Sequence, residues 1–83
     1  MRVGRGTNVQ NVIRDLRAAH GRMTQQQLAD RIGVTRQTVI AIEKGHYSPS
    51  LEMAFEIAAV FGVPLDGVFT YRAGRQKRER GTR

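Results

Sequence analysis

Apolar residues recur along this chain in short bursts at helical spacing, and a glycine closes each burst. Val9, Val12, Ile13 and Leu16 stand at i, i+3, i+4 and i+7, which puts four side chains on one face of an α-helix. Gly21, Gly33, Gly45 and Gly62 follow the successive apolar segments, where a left-handed residue commonly ends a helix. The pattern predicts a first helix over residues 8–20, with Thr7 and Gln10 at capping-box spacing. A second begins after Thr24, again with a glutamine, Gln27, three residues on, and turns Leu28, Ala29 and Ile32 inward. Thr35 is the N-cap candidate for a third helix reaching Lys44 and burying Val39 and Ile42.

Ser50 caps a fourth helix over residues 51–61. Leu51, Ala54, Ala58 and Phe61 form its expected core stripe, and Met53, Ile57 and Val60 form a second one. Only the side bearing Glu52 and Glu56 is plainly polar, so this helix is central to the bundle or touches a partner. Pro64 is placed to start a short fifth helix through Phe69, with Leu65, Val68 and Phe69 closing the core. The expected architecture is therefore all-α, with five helices in one domain over residues 8–71. A flexible basic arm (residues 1–7) precedes it, and a basic, disordered tail (residues 72–83) follows, where the composition gives no reason to fold. The second and third helices are joined by a three- or four-residue turn containing Gly33. Such a pair is the supersecondary unit that lays its second helix in a DNA major groove.

The net charge of +7 gains meaning from its position. Residues 72–83 hold six basic residues against the single acid Glu79, and Arg2 and Arg5 add two more at the other end. Between residues 7 and 71, six basic residues balance six acidic ones. Basic ends on a neutral body attract polyanions, nucleic acid first. Other chemistries find little support. There is no cysteine, and His20 and His46 stand far apart without acidic residues at ligand spacing, so no disulfide, metal or cofactor is expected. No apolar run approaches the roughly 20 residues of a membrane span, and the opening residues are too short and polar for a signal peptide, so a cytoplasmic protein is expected. No nucleophile with a matching base, carboxylate pair or phosphate-cradling loop can be assembled, which argues against an enzyme.

Several spaced motifs agree on a family. Thr24-Gln25-Gln26-Gln27-Leu28-Ala29, Gly33-Val34-Thr35-Arg36-Gln37-Thr38-Val39, Ile42-Glu43-Lys44-Gly45 and Pro49-Ser50-Leu51 together resemble the Cro and lambda-repressor-like (XRE-type) helix-turn-helix regulators, most closely the short stand-alone ones. That resemblance implies five helices and operator binding. It implies base contacts from Arg36, Gln37 and Ala41, and phosphate or buttressing contacts from Gln25, Thr38 and Lys44. It also implies an ion pair between Arg17 and Glu43 that ties the first helix to the third. Leu65 is similar to a family dimer contact, and Val68 and Tyr71, with Met53 and Val60, join it as dimer candidates. Three features depart from the pattern: Ala41 is not a long polar reader, Gly67 offers no side chain, and Gly21-Arg22-Met23 carries one residue more than usual.

The chemistry of the residues agrees with this. A guanidinium matches the two acceptors of guanine and a glutamine amide matches adenine, while alanine offers an apolar touch to a thymine methyl. Arg36 at a helix start opposes the helix dipole by ~0.3–1 kcal/mol, a cost that a nearby anion offsets. For Gln25 and Thr38 the alternative is that they only satisfy helix ends, and Lys44 is favourable at a helix C-terminus in any case. The sequence thus predicts a transcriptional regulator, a repressor, acting as a homodimer on double-stranded DNA without a cofactor. The alternative is an antitoxin-like interaction module whose basic tail folds onto an acidic protein partner.

Overall fold

Three helices begin where a hydroxyl side chain can take over an unpaired backbone N–H. In the computed structural model, which describes residues 7–72, the order is β1 (Val9–Asn11), α1 (Ile13–Ala19), α2 (Gln25–Ile32), α3 (Arg36–Glu43), α4 (Leu51–Phe61), a 3-10 turn (Leu65–Gly67) and β2 (Phe69–Tyr71). The hydroxyls of Thr24, Thr35 and Ser50 accept the backbone N–H groups of Gln27, Thr38 and Met53 at the starts of α2, α3 and α4. At α2 the capping box is complete, because the Thr24 N–H donates back to Gln27 Oε1 at 2.8 Å. Thr24→Ala is therefore expected to cost about 1 kcal/mol and to lower the thermal midpoint by roughly 4–8 °C. Thermal unfolding followed by circular dichroism reads this directly, and an unchanged midpoint would show that the cap contributes nothing to stability.

The chain forms four helices and a two-stranded ribbon, not five helices. β1 and β2 pair antiparallel with Val9 opposite Tyr71, Gln10 opposite Thr70 and Asn11 opposite Phe69, and Val12 N–H to Val68 O and Arg72 N–H to Asn8 O extend the ladder at each end. Valine, threonine and aromatic residues suit a pleated surface. Their pairing spans most of the domain, so the local periodicity that placed Val9 in a helix could not register it. The helix start moves accordingly. Thr7 Oγ1 accepts the N–H of Val9 at 2.7 Å, so the expected Thr7–Gln10 capping box does not form. α1 starts after Val12 without a side-chain cap, and Asn11, the last residue of β1, fixes the junction: its Oδ1 accepts the Ile13 N–H, while its Nδ2 donates to Ile42 O at 2.8 Å. The expected fifth helix shrinks to the 3-10 turn, because Gly67 is a poor helix former and the residues after Val68 are taken by the ribbon.

Ile13, Leu28, Val39, Ile42, Ile57 and Val68 are fully buried at the centre of the core. On α4 the inward stripe is Ala54, Ile57, Ala58 and Phe61, at i, i+3, i+4 and i+7. Leu51, expected in that stripe, is 65% exposed at the first position of α4, outside the i, i+3, i+4, i+7 set that Ala54 begins, and Val12 is likewise exposed. The extra residue before α2 is absorbed by two successive left-handed residues, Gly21 (φ 72°) and Arg22 (φ 58°). They let the Met23 N–H reach Arg17 O at 2.9 Å and turn the Met23 side chain into the core. The basic arm and tail expected at the two ends lie, apart from Thr7 and Arg72, outside the described residues.

Candidate nucleic-acid interface

α3 is fixed from one side. Gly33, left-handed at φ 73°, ends α2 and turns the chain through Val34 to Thr35, so that Val39 and Ile42 of α3 pack in the same core as Leu28 and Ala29 of α2. The opposite side of α3 carries Arg36, Gln37 and Lys44, all exposed, with Ile40 and Ala41 half-buried between them. An α-helix with its side chains is about 10–12 Å across, which suits a major groove about 12 Å wide. Neither α2 nor α3 has an acidic residue in its first turn, whereas α1 has Asp15 and α4 has Glu52. Two positive helix ends are thereby left uncompensated, and Arg36 adds to one of them.

One ion pair holds the three N-terminal helices in this arrangement. Arg17 Nε donates to Glu43 Oε2 at 2.7 Å and its Nη2 donates to Oε1 at 3.1 Å, a two-pronged contact between planar groups. The third guanidinium nitrogen donates to Met23 O at 2.8 Å, and Gln25 Nε2 donates to Glu43 Oε1 at 3.1 Å. With the side chains only 14% and 9% exposed, the pair ties α1 and the entry of α2 to the end of α3. Gln25 takes part through its amide nitrogen. Thr38 is engaged at the other end of α3, where its N–H and hydroxyl both meet Thr35 Oγ1, at 3.2 and 3.1 Å.

Beside the outward face of α3 lies a cleft between α1, the start of α2 and α3, lined by Arg14, Arg17, Arg22, Thr24, Gln25, Gln26, Arg36, Ile40, Glu43 and Lys44 among others. Arg14, Arg22 and Ile40 were not singled out by the sequence. Spacing could have found two of them, since Arg14 stands one turn before Arg17 and Ile40 one turn after Arg36. Arg22 is marked only as part of the extra residue in Gly21-Arg22-Met23. Of the dimer candidates, Val68 is withdrawn: its side chain is 2% exposed and fills the monomer core. Leu65, half-buried, and Tyr71, 68% exposed, border a largely apolar cleft with Val9 and Phe69. Met53 and Val60 are half-buried against the core. Tyr47, Leu51 and Phe55 are exposed apolar residues that the sequence reading did not assign to a surface. His20 packs edge-on against Phe61 with ring centroids 5.1 Å apart, and its Nδ1 lies 3.0 Å from Leu16 O. Among the described residues no cluster of His, Cys, Asp or Glu could hold a metal ion, and no helix is long and apolar enough to cross a membrane.

Two short helices joined at a left-handed glycine, the second presenting a polar outer face, define a helix-turn-helix domain. The family model described as Helix-turn-helix matches residues 13–68, and the chain belongs to this XRE-type helix-turn-helix family. It is 51% identical over 63 residues to an uncharacterised HTH-type transcriptional regulator of Methanocaldococcus jannaschii, covering 76% of this chain and 94% of the relative. It is 46% identical over 61 residues to the uncharacterised HTH-type transcriptional regulator YgzD of Bacillus subtilis, covering 74% and 91%. RstR of Vibrio cholerae, described as a cryptic phage CTXphi transcriptional repressor, is 43% identical over 53 residues, which cover 64% of this chain and 47% of RstR. A crystal structure of a Bacteroides fragilis protein shares the fold, with a TM-score of 0.65 at 22% identity over 75% of this chain and 98% of that one.

Proposed function

We propose that this chain is a sequence-specific transcriptional repressor that binds double-stranded operator DNA as a homodimer in the cytoplasm. The observation that carries the reading is the outer face of α3, where Arg36, Gln37 and Lys44 are exposed while Val39 and Ile42 anchor the opposite side. Arg36 and Gln37 read base edges in the major groove, and Ala41 touches an apolar base surface. Lys44 meets a phosphate. Gln25 and Thr38 buttress the reading unit, Gln25 through Glu43 and Thr38 through the Thr35 cap. The sign of regulation follows the description of RstR as a repressor.

Amide chemical-shift mapping with a mixed-sequence DNA duplex tests the reading. The expected shifts cluster at residues 24–26 and 35–44, and shifts confined to α4 or to the ribbon would contradict it.

One helix discriminates only a few base pairs, at about 1–3 kcal/mol each, too little to select one operator in a genome. Pairing of two chains doubles the site and sets half-site centres about 34 Å apart. The exposed Tyr71, beside Leu65 in an apolar cleft, is the surface we assign to this contact. Tyr71→Glu is expected to convert a dimer into a monomer in sedimentation while leaving the thermal midpoint of dilute samples nearly unchanged. A variant that still sediments as a dimer would free this patch from the role.

A further inference from the structure

We propose that Arg14 and Arg22 grip the DNA backbone, holding phosphates in the cleft beside α3. The proposal rests on the DNA-binding reading above and adds a binding site to it. The sequence conceals this site, because basic and acidic residues balance between residues 7 and 71. The fold separates them. Five of the six basic residues in that span, Arg14, Arg17, Arg22, Arg36 and Lys44, line one cleft, and Glu43 is the only one of the six acids to do so. Glu43 is already engaged by Arg17 and Gln25. Arg14, Arg22, Arg36 and Lys44 make no ion pair or side-chain hydrogen bond to any described residue, so four cations converge without a counter-charge. A concave surface of one sign concentrates a polyanion, and this one adjoins the start of α3, where a DNA strand in register with Arg36 must pass.

The backbone of Arg22 supplies an independent argument. Its φ of 58° makes it the one non-glycine residue in the left-handed region among the described residues. A glycine there would carry no such strain, and strain of this kind persists at ligand clamps where the side chain earns its place. The guanidinium it delivers is exposed at the rim of the cleft.

Fluorescence anisotropy of the full chain on a labelled mixed-sequence duplex, titrated at several salt concentrations, tests the site without knowledge of the operator. Arg22→Gly and Arg14→Gln should each bind several-fold more weakly and flatten the slope of log affinity against log salt by about 0.9, the value for one phosphate contact. Arg22→Lys should keep the slope. Arg22→Gly should unfold at an unchanged or higher temperature, since it loses strain and no internal contact, so affinity and stability separate. Wild-type slopes in both Arg22→Gly and Arg14→Gln would overturn the proposal while leaving the reading by α3 intact. A wild-type chain that does not bind the duplex at all would overturn both.

Discussion

Glu43→Ala is expected to destabilise the fold by about 3 kcal/mol, the low end of the cost of breaking a buried ion pair from one side, because this pair is part-buried. A domain of this size has roughly 4–12 kcal/mol in total at ~0.05–0.15 kcal/mol per residue, so the loss is a large share of it. The midpoint should fall by at least about 12 °C at ~4 °C per kcal/mol. The size of the effect comes from what the substitution strands. The Arg17 guanidinium, 14% exposed, would keep only its bond to Met23 O, and Gln25 Nε2 would lose its acceptor. The double substitution Arg17→Met with Glu43→Leu removes both charges and should recover most of the loss, since well-packed apolar replacements of buried pairs are often neutral or better. Urea unfolding of the wild type, Arg17→Met, Glu43→Leu and the double variant measures the coupling. A value under about 1 kcal/mol would equate the pair with a solvated surface contact and remove its part in holding α3.

Arg36→Ala and Gln37→Ala are each expected to weaken binding to a selected operator by about 1–3 kcal/mol and to relax base preference at one position. Stability should hardly change, because both side chains are exposed and the Thr35 cap does not involve them. Arg36 stands at a helix start already free of acidic residues, so its removal in the absence of DNA relieves an unfavourable charge–dipole contact. The two residues are adjacent, and the double variant need not equal the sum of the single losses. Equal losses on operator and mixed-sequence DNA would identify them as phosphate contacts and contradict base reading.

The helical part of the fold is legible in the sequence because its determinants are local. Thr24, Thr35 and Ser50 cap the helices they precede, and Gly33 and Gly62 end α2 and α4 as left-handed residues. The ribbon is not legible, since β1 is a three-residue strand whose partner lies some sixty positions away and whose valine also fits a helical period. For Val68 the sequence allows two roles, closing the core or meeting a second chain, and at 2% exposure it takes the first. In the candidate interface, the contact residues on α3 are those the family resemblance implies, and the chemistry of Arg36 and Gln37 at the start of a polar helix face, a local property, agrees with it. The cationic cleft could not, since it joins Arg14 of α1, Arg22 of a strained turn and Arg36 of α3 within a stretch whose linear charge is balanced. Only folding separates those charges.

Operator selection rests on the proposed reading of DNA sequence by α3 through Arg36 and Gln37. That reading is tested most directly by selecting bound duplexes from a random DNA pool with the wild-type chain and, in parallel, with the Arg36→Ala, Gln37→Ala double variant. The wild type is expected to enrich a two-fold symmetric sequence with half-site centres about 34 Å apart, and the double variant to retain duplex binding but lose preference at the positions those residues read. Enrichment of the same sequence by both proteins, or of none by the wild type, would contradict it.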